Sequence, residues 1–259
     1  MKKSENIGSK LAPIIFVVLL LIIWQVVVTA GGIQKYIMPA PTDVIKVLVT
    51  EFKTMMPHIL ATLYEGMVGF LIAIVLSIIL AIIMDRFSLV KKALYPVLVI
   101  SQTIPTVALA PLFIIWFGFG ALPKIIVVVI VCFFPIVISI VDGLEGVDKD
   151  LINHFKLMGA SKLKVFLHLK LPYGMINFFS GMRIAATYSI MGAVIGEWLG
   201  GDKGLGVYMT RARSAYALDK MFAAIVIIVV ISMAIFLLVS LMEKVFTPWN
   251  NERINNKQG

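Results

Sequence analysis

The chain is 259 residues long, 60% of them hydrophobic and 14% charged, with a mean hydropathy of +1.00 and a formal net charge of +9. Soluble domains carry about 25% charged and about 45–50% apolar residues, so an ordinary globular enzyme, a disordered chain and a fibrous repeat are excluded. The apolar residues exceed what one compact core could bury and must face lipid or one another across a bilayer.

A helix crossing a hydrocarbon core of about 30 Å needs roughly 20 apolar residues at about 1.5 Å each. The first such run, 11–30, carries no charge and follows Lys2, Lys3 and Lys10. It is longer than the apolar core of a signal peptide and reads as a permanent span, although Val28-Thr29-Ala30 has the small residues of a cleavage site. A second span covers 60–84 and stops at Asp85 and Arg86. The third, 93–119, contains Ser101, Gln102, Thr103, Pro105, Thr106 and Pro111, and is polar and proline-broken for a lipid-facing helix. A fourth covers 125–141, where Cys132 is a small packing residue without redox chemistry. The fifth covers 178–199, and the sixth, 221–242, precedes Glu243 and Lys244.

This pattern predicts an all-α membrane protein of about six transmembrane helices, forming one domain over residues 1–259 with no soluble second domain. Six spans place both termini on one side. Of the 23 Lys and Arg residues, fifteen fall in that side's segments and eight on the other, which puts both termini in the cytoplasm by the positive-inside bias. The basic excess is therefore topological, and a nucleic-acid partner is not expected.

The longest cytoplasmic excursion, 142–177, has its own helical grammar. Asp148 can cap a short helix over 149–158, with Leu151, Phe155 and Met158 on one face. Gly159 permits the backbone to reverse. Ser161 can cap a second helix over 162–170 that aligns Leu163, Phe166 and Leu167, and Leu171-Pro172 ends it. Two readings stay open: the paired helices present an apolar knob to a partner, or they lie as a hairpin among lipid headgroups. His154 and His168 are fourteen residues apart without a nearby cysteine, and read as surface histidines, not metal ligands.

No Gly-x-x-x-x-Gly-Lys-Ser/Thr run occurs, so the chain lacks the usual loop for nucleotide phosphates. The glycine-rich run from Gly200 to Gly206 reads as tight turns that return the chain toward the last span. No serine–histidine–acid set, paired carboxylates or Cys/His cluster is evident at membrane depth, and no catalytic residue is expected. Ser101, Gln102, Thr103 and Thr106 must find partners away from hydrocarbon, either on an aqueous pathway or against a neighbouring helix. Pro105 adds a freed carbonyl beside them, and Thr187, Tyr188 and Ser189 pose the same choice in the fifth span. Glu197 beside Trp198 reads either as a hydrated acid next to an interface anchor or as part of the pathway. Arg183 reads as a cytoplasmic anchor, and the lack of any other cation at depth favours an uncharged cargo.

The run Gly159-Ala160-Ser161, then Phe166, Leu171-Pro172 and Gly181-Met182-Arg183, resembles the cytoplasmic loop of transmembrane subunits of ATP-binding-cassette importers. Upstream, Ile104-Pro105-Thr106 through Phe113, followed by Trp116-Phe117-Gly118-Phe119-Gly120 and Lys124, resembles the subgroup that imports nitrate, sulfonates, taurine and thiamine-pyrimidine precursors. Together they cover roughly residues 39–246. Gly196-Glu197-Trp198-Leu199-Gly200 with Gly204-Leu205-Gly206 is most similar to members importing the hydroxymethylpyrimidine precursor of thiamine. One departure stands out: Asn153, His154 and Phe155 occupy the places of the family's usual Glu-Ala-Ala.

The resemblance implies a type I importer permease in the bacterial cytoplasmic membrane, paired as a homodimer. Two cytoplasmic ATPase subunits would grip the loop residues Asn153, His154, Phe155, Met158, Gly159, Ala160, Ser161, Leu163, Phe166, Leu171 and Pro172. An extracytoplasmic solute-binding protein would deliver the cargo. ATP and magnesium would sit on the ATPase, with no cofactor on this chain. Two other classes are weighed from the residues alone. An ion-coupled carrier would place ionisable groups near the midplane in two repeats, and a structural membrane subunit would use the knob for docking without transport.

Overall fold

The computed structural model describes residues 7–249; the tail cations Lys2, Lys3, Arg253 and Lys257 of the topology count lie outside that range. The described chain is helical, with no strand. Helix α1 (Ile7–Ala30) is followed by a short α2 (Pro41–Thr50), started by Pro41 and tied to the preceding turn by Lys35–Asp43 at 2.5 Å. Then come α3 (Phe52–Arg86), α4 (Ser88–Ser101), α5 (Thr106–Phe117) and α6 (Ala121–Glu145). A hairpin of α7 (Lys149–Leu157) and α8 (Lys162–Val165) leads through a π turn, Phe166–Lys170, into α9 (Leu171–Leu199). The chain finishes with α10 (Leu205–Ser214) and α11 (Leu218–Phe246).

Among the described residues five helices are long and apolar enough to cross a membrane, or six if the bent pair α4–α5 counts as one span. That pair falls where the sequence places a polar, proline-broken third span over 93–119. The two helices meet at 101° around Gln102–Pro105. Pro105 lacks an N–H and pushes the residue before it out of helical geometry, so the ladder stops at Ser101 and restarts at Thr106. The other helices run beyond the predicted apolar stretches, as α3 does by starting at Phe52. Hydrophobicity marks only the part in hydrocarbon, whereas backbone bonding continues until a cap or breaker intervenes. Helices α2 and α10, each of ten residues, fall where no element was predicted.

The centre of the bundle is α6 packed along α9, with α3 against both. Small residues on α9 allow this: Ala185, Ala186, Ser189 and Ala193 are fully buried. At Gly181 a Cβ would come within 2.7 Å of the Pro135 carbonyl, and at Gly192 within 3.3 Å of the Val128 backbone, so the two main chains nearly touch. Ser77 Oγ donates to the Phe133 carbonyl at 3.1 Å, and Cys132 is buried with its thiol 3.4 Å from the Ala185 carbonyl. By contrast α1 lies at the edge. Its span is only 6% buried, and it attaches through Trp24, whose ring is tilted 45° against Phe222, and through Gln25, whose Oε1 accepts from Thr42 N.

Candidate functional site

The hairpin between α6 and α9 forms as its local chemistry dictates. Asp148 accepts from Asp150 N at 2.8 Å and caps α7, Ser161 accepts from Lys164 N at 3.3 Å and caps α8, and Gly159 between them has φ +77°. Two details differ from expectation. Leu171-Pro172 does not end the second helix. In a regular helix the Pro172 ring would meet the carbonyl four residues back; here the turn widens, Leu171 N–H donates to Phe166 O, and the helix continues to Leu199. Phe155 faces inward instead of outward, joining Ile152, Ala160 and Tyr173 around a small core of Val147, Val165 and Leu169. Phe166 packs against the main core of the bundle.

What the hairpin presents is therefore Leu157 (85% exposed), Met158 (84%) and Leu163 (65%), with Asn153, His154, Gly159, Ser161 and Leu171 also at the surface. Three adjoining apolar side chains this open cost free energy in water and call for a cover.

A second feature lies at the α4–α5 break. Ser101, Gln102 and Thr106 line a cavity of about 610 Å³ together with Tyr188 of α9. Its far wall is Ile130, Phe134 and Ile138 of α6, with Ser139 adding a hydroxyl that the sequence did not single out. The lining holds hydroxyls, one amide and two aromatic rings, and no charged group. Other predicted pathway residues sit elsewhere. Thr103 Oγ1 bonds back to the Ile100 carbonyl at 2.7 Å, and Pro105 forms the exposed break itself. Thr187 lines a separate recess of about 300 Å³ against α11, and Ser189 is buried with its hydroxyl on the Ala186 carbonyl. Trp198 is exposed near the end of α9.

Glu197 is neither hydrated nor on the cavity. It is 1% exposed, with Oε1 accepting from Thr62 Oγ1 at 2.7 Å and Oε2 from Gly206 N at 2.6 Å. Thr62 Oγ1 in turn accepts from Leu205 N at 2.8 Å. Beside this set, Lys124 Nζ pairs with Glu65 Oε1 at 2.8 Å, both side chains 5% exposed. His58 Nδ1 lies 2.9 Å from the Gly204 carbonyl and 3.1 Å from its nitrogen. The run Gly200 to Gly206 is thus a turn pinned onto α3. The sequence reading took Glu197 as a hydrated acid or a pathway group, counted Lys124 among the outer-side cations and did not single out Glu65; the structure buries all three side by side. The signal was present as single charges inside apolar runs, but their pairing spans 59 residues for Lys124–Glu65 and 135 for Thr62–Glu197. Arg183 is itself paired with Glu243 of α11. On α10, burial and the adjacent Glu51 carboxylate push the Tyr208 phenol up.

The chain is similar to known proteins over most of its length. The family described as "Binding-protein-dependent transport system inner membrane component" matches residues 69–250. A formylaminopyrimidine transport permease of Halalkalibacterium halodurans is 34% identical over 254 residues, covering 98% of this chain and 100% of that protein. A riboflavin transport system permease of Chloroflexus aurantiacus is 31% identical, covering 89% of this chain and 87% of its own length. A taurine transport system permease of Escherichia coli is 28% identical, covering 90% and 87%. Among solved structures, the inward-facing MetNI methionine ABC transporter superposes with a TM-score of 0.59 at 16% identity, over 77% of this chain and 97% of that one, which is a likeness of fold. The chain belongs to the binding-protein-dependent transport system inner-membrane components, the permease subunits of ATP-binding-cassette importers, which span the membrane while a separate subunit hydrolyses ATP.

Proposed function

We propose that this permease carries a small, uncharged, planar solute of the aminopyrimidine class. The carrying observation is the cavity at the α4–α5 break, whose walls offer Ser101, Gln102, Thr106, Ser139 and Tyr188 as hydrogen-bonding groups and Phe134 as an apolar face, without a charge. A sulfonate crossing low-dielectric surroundings needs a compensating cation. Lys124, the buried cation of the bundle, is committed to Glu65 and absent from the cavity wall. The name of the Halalkalibacterium relative supports the same class.

In the working assembly two copies of the chain face one another and complete the pathway. Two ATPase subunits carrying ATP and magnesium cover Leu157, Met158 and Leu163, and a solute-binding protein delivers cargo to the opposite side. The chain itself binds no cofactor. It lies in the bacterial cytoplasmic membrane, in contact with lipid along α1, with both termini cytoplasmic and α4–α5 crossing as one broken span. That parity agrees with fifteen of the 23 cations on the hairpin side.

The test is uptake into proteoliposomes holding the permease, its ATPase and its binding protein. ATP-dependent accumulation of formylaminopyrimidine, and not of taurine, is the expected result. Accumulation of taurine with no pyrimidine uptake overturns the cargo assignment, and uptake independent of ATP overturns the assembly.

A further inference from the structure

Three polar contacts converge on the corner where α3 ends at Arg86 and α4 begins at Ser88. Between them Phe87 is extended, with φ −121° and ψ 98°, so the chain turns sharply. On one side of the corner, Asp85 Oδ1 lies 2.5 Å from Lys170 Nζ, the side chains 15% and 24% exposed. On the other, Tyr95 Oη donates to Asp142 Oδ1 at 2.9 Å, and Lys91 pairs with Glu145. Asp142 and Glu145 lie in the last turn of α6, which runs into the hairpin; Lys170 closes the π turn through which the hairpin runs out. One arm of the hairpin therefore holds the end of α3 and the other holds α4 at Lys91 and Tyr95. The far end of α4 is Ser101, on the wall of the cavity.

Asp85 is also poorly placed for local reasons. It stands in the last turn of α3, where free carbonyls give the helix end a partial negative charge that disfavours a carboxylate. Lys170, from 85 residues away in sequence, offsets that repulsion. The core around Val165 and Leu169 takes in Ile152 and Phe155 of α7 and Tyr173 of α9, so the hairpin and the π turn that ends at Lys170 are packed as one piece.

We propose that the Asp85–Lys170 ion pair is the positioning contact through which a displacement of the α7–α8 hairpin reaches the α3–α4 corner and, along α4, the cavity. This rests on the reading of the hairpin as the ATPase dock. Partly exposed ion pairs add little to stability, whereas couplings between sites typically amount to about 5–150-fold. Removing the pair should therefore leave folding nearly unchanged and show in coupling.

The experiment compares wild type, Asp85→Asn, Lys170→Gln and the charge-swapped Asp85→Lys/Lys170→Asp double variant, each assembled with ATPase and binding protein in proteoliposomes. Solute accumulated per ATP hydrolysed and the thermal midpoint of the assembled complex are measured. Both single variants should keep the wild-type midpoint and lose at least about fivefold in solute per ATP, and the swapped variant should regain most of it. Wild-type coupling in the single variants overturns the proposal, as does a swapped variant that assembles yet stays uncoupled. If the single variants fail to assemble, the swapped variant decides alone: coupled transport supports the proposal, and loss of assembly in all three assigns the pair to folding and overturns it. Failure of the wild type itself to transport on ATP would instead sink the importer reading beneath it.

Discussion

Both carboxylate oxygens of Glu197 are committed, one to the Thr62 hydroxyl and one to the Gly206 N–H, and the residue is nearly inaccessible to water. Glu197→Ala strands the buried Gly206 N–H, at about 1–3 kcal/mol for a group left without a partner, while the Thr62 hydroxyl keeps the His58 carbonyl at 3.2 Å. The thermal midpoint of the purified permease should fall clearly, and an unchanged midpoint would contradict the network. Gly204 is a sharper case. Its φ is +129°, and a Cβ there would overlap the Glu197 carboxyl group. Gly204→Ala should destabilise by at least about 1–3 kcal/mol from backbone strain alone, as read by thermal unfolding. At the hairpin the expectation reverses. Leu157 and Met158 touch little of their own chain, so Leu157→Asp with Met158→Asp should leave the permease midpoint unchanged and abolish co-purification of the ATPase. Retention of the ATPase would show that the knob is not its dock.

At the scale of the element, the π turn sets the angle of the hairpin relative to α9. One residue of an α-helix corresponds to a rotation of about 100°, so deleting His168 should turn Leu157 and Met158 away from their present face while leaving the spans inserted. Membrane levels of the deletion variant should match wild type, and ATP-driven uptake should be lost; full uptake would mean that the hairpin angle is immaterial. The elements also show what a sequence states openly. Asp148, Gly159 and Ser161 were legible because capping and left-handed turns depend on one residue and its immediate neighbours. Pro172 misled because the same local rule has two outcomes, an ended helix or a widened turn, and packing of Val165, Phe166 and Leu169 selects the second. The apolar runs marked the spans but not their ends. Of the cavity, Ser101, Gln102, Thr106 and Tyr188 were legible as polar groups costly to leave in lipid; Ser139 and Phe134 were not, because only the packing of α6 against the break makes them its wall. The Glu65–Lys124 pair was invisible for the same reason, since contacts between distant spans have no local signature.

For the whole molecule, the proposed topology places Lys156 and Arg213 on opposite sides of the membrane. Both are exposed, whereas Cys132 is fully buried and should stay silent toward a polar thiol reagent. An impermeant maleimide applied to intact cells should label Arg213→Cys, and Lys156→Cys only after permeabilisation. The reverse pattern, with Lys156→Cys labelled in intact cells and Arg213→Cys only after permeabilisation, would mean that α4–α5 dips into the bilayer and returns, shifting the parity of everything after it. The near contact of backbones between α6 and α9 bears on how such a molecule can move. At Gly181 and Gly192 the α9 backbone closes onto α6, with no room at those points for one helix to shift against the other. Sliding of α9 along α6 is resisted there. Compliance is left to the flank formed by α4 and α5, and it concentrates at their 101° elbow, beside the cavity.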